Sequence, residues 1–189
     1  LAGCDEKRFQ FGTLNNKESH QCDTFPGWDI IPLKVNHGFT ARNTQKRIYS
    51  TLYLFHDRES NDSLLICGDL ECNLSSDATK GLLEKALRHV VDNVPQGKLK
   101  GIIIECSSAT SVRESQLYGH LSPVHLIELL SRLRDMYQDT NALKGLDIVI
   151  THVKRVTAVR DPRLTILDEL RHLAKKTGLT GVKFSMAIQ

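Results

Sequence analysis

The chain is poor in the features that would take it out of the ordinary globular class. No run of Lys and Arg exceeds two residues, so neither a nucleic-acid arm nor a polybasic membrane patch is expected. No apolar stretch approaches the roughly 18 residues that cross a bilayer, and no membrane partner is expected. Leu1 to Arg8 lack the basic, apolar and small segments of a signal peptide. There are only five cysteines, an odd number, and none forms a C-x-x-C pair. Cys67 and Cys106 lie in or beside apolar runs, where a thiol behaves as a small hydrophobe. Reduced thiols in a cytoplasmic protein are the simplest reading of all five. The first residue is leucine, which suggests a piece of a longer protein.

What is present is a balanced composition over 189 residues, with 40% hydrophobic and 25% charged residues and a net charge of +3. That length supports one domain with a sizeable core. Asp29 to Val35 reads as a strand running into Asn36, His37 and Gly38. Tyr49 to Phe55 reads as a second strand, and Ser63 to Cys67 as a third that stops at Gly68. His56 to Asp62 between them reads as a charged turn. The period then changes. Lys80 to Val94 places Leu83, Ala86, Leu87, Val90 and Val91 on one helical face. Leu99 to Glu105 is a short buried strand. Ser122 caps a helix that opens on Pro123 and runs to about Tyr137. Leu146 to Ile150 is another buried strand, Pro162 to Ala174 a last amphipathic helix, and Val182 onward a final strand. Strands first, then alternating helices and strands, imply a layered α/β domain without a linker.

His37, Asp69 and His152 each follow an apolar strand. Alone, any of them reads as a strand-end turn or a histidine satisfied by backbone. Together they form a constellation that can converge on one sheet edge, with the donor types preferred by zinc and related ions; spacing leaves both readings open. His120, in Gly119-His120-Leu121-Ser122-Pro123, is either incidental to a helix start or an acid on the preceding loop. His56, His89, His125 and Cys72 carry no functional reading.

The segments Val35-Asn36-His37-Gly38, Ile66-Cys67-Gly68-Asp69, Ile103-Ile104-Glu105-Cys106-Ser107, Tyr118-Gly119-His120-Leu121-Ser122-Pro123 and Ile148 to Lys154 occur in this order. They resemble the successive signatures of the class II cyclic-nucleotide phosphodiesterases of yeasts and other fungi. Arg160 to Leu167 is similar to the same family's C-terminal helix. The resemblance implies the metallo-β-lactamase fold, an αββα sandwich of which this chain is the C-terminal half. Residues 1–189 are then part of a single domain whose H-x-H-x-D-H motif lies upstream. Ser19-His20-Gln21-Cys22-Asp23 is no substitute, having the wrong spacing and residue types.

The resemblance further implies two divalent metal ions, zinc by preference, held by His37, by Asp69 as a bridging carboxylate, and by His152. Asp69 also counts as catalytic, through a hydroxide shared by the metals, and His120 becomes the general acid. The implied reaction is hydrolysis of cAMP and cGMP to 5′-nucleotides, ending a cyclic-nucleotide signal. A homodimer is the oligomer to test. The alternatives are a tRNA 3′-processing nuclease of the same superfamily, which would need a broad basic RNA face, and a non-catalytic domain that has lost the first metal motif.

Overall fold

The computed structural model describes residues 13–21, 25–39, 46–72, 81–154 and 160–187; Cys4 and Cys22 lie outside them. Among the described residues seven strands form one mixed sheet, and their spatial order follows chain order. They are β1 (His20–Gln21), β2 (Trp28–Phe39), β3 (Arg47–Asp57), β4 (Ser63–Cys67), β5 (Leu99–Glu105), β6 (Asp147–Thr151) and β7 (Lys183–Met186). The pairs from β1 to β4 are antiparallel. Those from β4 to β7 are parallel. Helices α1 (Leu82–Asn93), α2 (Pro123–Tyr137) and α3 (Pro162–Lys176) make the parallel crossovers.

This topology dictates the layers. Parallel crossovers are right-handed, so a sheet wound steadily in one direction carries all its helices on one face. The core has that form. Leu52 and Leu54 of β3, Leu65 of β4, Ile102 and Ile104 of β5, and Ile148 and Ile150 of β6 alternate inward. They share one buried cluster with Leu83 and Leu87 of α1, Leu126 and Leu130 of α2, and Ile166 and Leu170 of α3. The strand period of two thus supplies one face of the core and the helical stripes the other. Cys67 and Cys106 are free thiols buried in this layer.

The elements follow the sequence reading closely, with differences at their ends. β2 and β3 run further than expected and form a long hairpin, broken by an irregularity between Asn36 and Phe39. His56 lies in β3 rather than in a turn, its Nδ1 3.0 Å from the Ser63 hydroxyl. The two-residue β1 and a 3-10 turn at Glu114–Gln116 were not anticipated.

β2 and β4 both pair antiparallel with β3, so they point the same way, and β5 and β6 run with β4. The C-terminal ends of β2, β4, β5 and β6 therefore share one edge of the sheet. In open α/β sheets this is the edge where ligands bind.

Candidate active site

His37 sits near the end of β2, Asp69 just past β4, Glu105 at the last position of β5, and His152 just past β6. His120 arrives from the loop before α2, whose start is set by the Ser122-Pro123 pair. That loop turns sharply because Tyr118 (φ +54°) and Gly119 (φ +80°) are both left-handed. Gly38 is left-handed as well, at φ +68°. The two glycines meet: a Cβ on Gly119 would lie 3.1 Å from the Cα of Gly38. Only a residue without a side chain allows that approach, and it brings the His37 and His120 rings to 5.0 Å between centroids.

The same contact fixes a proton. The His37 Nδ1–H donates to the Gly119 carbonyl at 3.1 Å. A carbonyl can only accept, so a neutral His37 keeps its lone pair on Nε2.

The donor atoms of His37, Asp69 and His120 converge within 4.8 Å of one another. His152 joins through Asp69, with Nδ1 3.7 Å from Oδ1, and stacks on His120 at 5.0 Å. The structure thus gathers all four candidate residues at one edge. Its tightest grouping contains His120, whereas the sequence reading set His152 among the ligands and His120 apart as the acid.

Glu105 lies within the motif Ile103 to Ser107, where its residue type alone assigns it no role. It is 1% exposed, and an acidic group at that depth must be partnered. The His120 Nδ1–H donates to its Oε1 at 2.9 Å. Leu70 N–H donates to Oε1 at 3.0 Å and Leu121 N–H to Oε2 at 3.3 Å. Burial raises the carboxyl to about 7, against the pull of those two backbone donors. Burial also holds the His120 imidazole below its usual range, while Asp69 draws it up. A carboxylate hydrogen-bonded to an imidazole is a pairing able to orient the ring for proton transfer. The signal available in the sequence was a carboxylate closing an otherwise apolar run, Gly101 to Ile104.

Imidazole nitrogens with a carboxylate are the donors taken by zinc and similar divalent ions. A histidine anchored through Nδ1 to a carbonyl, as His37 is, is the usual form of a metal-binding imidazole. The cluster therefore fits a divalent cation.

A layered α/β sheet with a histidine–aspartate cluster at its C-terminal edge is an arrangement of the metallo-β-lactamase type. The chain belongs to the cAMP phosphodiesterases of class II, whose family model matches residues 6–189. It is 44% identical over 183 residues to 3′,5′-cyclic-nucleotide phosphodiesterase 1 of Saccharomyces cerevisiae, which covers 97% of this chain and 49% of that protein. A 3′,5′-cyclic-nucleotide phosphodiesterase of Candida albicans is 30% identical over 146 residues, covering 69% of this chain and 34% of the relative. The crystal structure of unliganded yeast PDE1 superposes with a TM-score of 0.86 at 45% identity, over 93% of this chain and 48% of that one. The chain thus spans about half the length of the Saccharomyces relative. No helix among the described residues is long and apolar enough to cross a membrane.

Proposed function

We propose that this chain forms the C-terminal part of a single phosphodiesterase domain that hydrolyses cAMP and cGMP to their 5′-monophosphates. The observation that carries the reading is the convergence of His37, Asp69, His120 and His152 on one sheet edge, in a chain of this family. Two divalent ions, zinc by the chemistry of the donors, would take His37, Asp69 and His152 from these residues. When bound they would activate the attacking water and neutralise the phosphoryl oxygens.

The remaining work falls to the chain's own groups. Departure of the 3′-oxygen from a cyclic phosphodiester leaves a strongly basic alkoxide, which needs a proton. His120 is the donor in this reading. Its Nδ1 is committed to Glu105, so the proton to be passed sits on Nε2. Glu105 holds the ring in that tautomer and stabilises the imidazolium before transfer, the part a buried carboxylate plays beside a catalytic histidine. Glu105 is itself locked by two backbone donors, so the pair does not have to reorganise. Free thiols at Cys67 and Cys106 suit the reducing cytoplasm as its place of action.

The test is turnover by the intact, metal-loaded protein on cAMP, cGMP and a precursor tRNA. Hydrolysis of the cyclic nucleotides with the RNA left intact is expected. Trimming of the RNA with cyclic nucleotides untouched would overturn the assignment.

A further inference from the structure

A cavity of about 170 Å³ opens on the β1–β2 flank of the sheet, where the first turns of α1 meet β2. Lys17, Lys34 and Lys85 line it, with Asn16, Leu33 and Leu82 beside them, and no acidic residue does. None of these residues belongs to the histidine–aspartate cluster. Its walls are fixed by the fold. The Lys17 N–H donates to the Pro32 carbonyl at 2.8 Å, and Asn16 Oδ1 accepts the Lys34 N–H at 2.7 Å. Lys17 is left-handed, at φ +65°, an uncommon conformation for a residue with a side chain.

The facing wall is one stripe of α1. Leu82, Lys85, Ala86 and His89 follow the i, i+3, i+4 and i+7 spacing that places side chains on a common helical face. The charge of Lys17 is felt at His89, so its ammonium lies within reach of this stripe. His89 Nε2 is buried and has no hydrogen-bond partner among the described residues. Three lysines around one small space carry like charges that repel. Among the described residues none of the three pairs with a carboxylate. Lys34 Nζ sits 3.7 Å from the Tyr49 ring centroid, a contact that leaves its charge in place. Elsewhere on the surface lysines are balanced, as Lys98 and Lys100 are by Asp62.

We propose that this cavity binds a small oxyanion of the phosphate class, held between Lys17 and Lys85, with Lys34 adding its charge. Lysine serves phosphate as a point charge that donates to whichever oxygen faces it. The volume is below the roughly 300–1,000 Å³ of sites that enclose a drug-sized ligand, so the cavity fits a free ion and not a nucleotide. The bound ion would relieve the repulsion between the lysines. It would also join α1 to β2, the strand that carries His37. The proposal does not rest on the cyclic-nucleotide reading above.

The experiment measures binding of inorganic phosphate by calorimetry at fixed ionic strength, in the intact protein and in its His37→Ala variant, where the histidine–aspartate cluster is impaired. A phosphate-binding component should survive His37→Ala. Adding Lys17→Gln or Lys85→Gln should weaken that component about fivefold, and both together should weaken it further. Lys85→Arg keeps the charge and should bind like the parent. Lys175→Gln, on α3, should leave binding unchanged. The same lysine substitutions in the parent protein should give the same loss, which frees the test from the folding of His37→Ala. Absence of any component beyond the one removed by His37→Ala overturns the site. So does a component indifferent to Lys17 and Lys85, or one weakened equally by Lys175→Gln, which would reflect net charge alone.

Discussion

Substitution Gly119→Ala tests the claim that two glycine backbones bring the site together. Gly119 and Gly38 are both left-handed, so alanine at either position carries a conformational cost of about 1–2 kcal/mol. The added methyl group separates them. At Gly38 the nearest atom to a new Cβ is the Gly119 Cα at 3.5 Å, an ordinary contact. At Gly119 the new Cβ would meet Gly38 Cα at 3.1 Å, Gly38 N at 3.2 Å and the His37 carbonyl carbon at 3.4 Å. All three are backbone atoms of β2, which cannot rotate out of the way. Relief comes only by moving the loop that carries His120 away from His37, and with it the hydrogen bond from His37 to the Gly119 carbonyl. Displacement of a reacting group by about 1 Å can cost about 10²-fold in rate. Gly38→Ala should therefore lose about 1–2 kcal/mol in urea unfolding and keep most of its turnover. Gly119→Ala should lose more stability and about a hundredfold in cyclic-nucleotide hydrolysis. If the two variants match in both measurements, the glycine contact does not position the site.

If the proposed assignment holds and Asp69 would serve two ions while each imidazole would serve one, Asp69→Asn should lower metal content further than His37→Ala or His152→Ala; elemental analysis decides, and full occupancy in Asp69→Asn removes Asp69 from the metal set. Tyr137 donates to the Val94 carbonyl at 2.9 Å, and burial raises its hydroxyl from 10.0 to about 12. Its contribution is fully present below pH 10, where the unfolded phenol is protonated too, and is lost as pH climbs through 10 to 12. Tyr137→Phe should cost about 1 kcal/mol at pH 8 and show a shallower alkaline decline in its unfolding midpoint. Identical pH dependence in the two proteins would remove Tyr137 from the alkaline response.

The parts of the fold legible in the sequence are those whose boundaries have a chemical cause. Gly68 ends β4, Ser122 and Pro123 begin α2, and Pro162 begins α3 behind Asp161, whose carboxylate accepts the Arg163 N–H. The second hairpin arm reads short in the sequence because its outer residues Arg47 and Ile48 are exposed and break the apolar alternation that marks a strand. A two-residue strand such as β1 has no period to detect. At the site, His37, Asp69 and His152 were visible as polar groups closing apolar runs. Glu105 closes one too, but a carboxylate at a strand end is common on surfaces. Only the 1% exposure and the converging N–H donors reveal its part.

Chain order and sheet order coincide from β1 to β7, and this bears on how the protein is made. Domains are built N-terminal first during synthesis, and here each emerging strand finds the partner laid down just before it. None has to be inserted between two older strands. The parallel pairs still join distant residues, Ser63 with Leu99, Gly101 with Asp147 and Asp147 with Lys183, and pairing of that kind is slow, so one sheet edge at a time waits for the next strand. The site residues reach their shared edge in sequence, His37 with β2, Asp69 after β4, Glu105 with β5, His120 ahead of α2 and His152 after β6. A nascent chain paused after β5 holds a docked but incomplete cluster, so binding of metal at that edge would be among the last events of assembly.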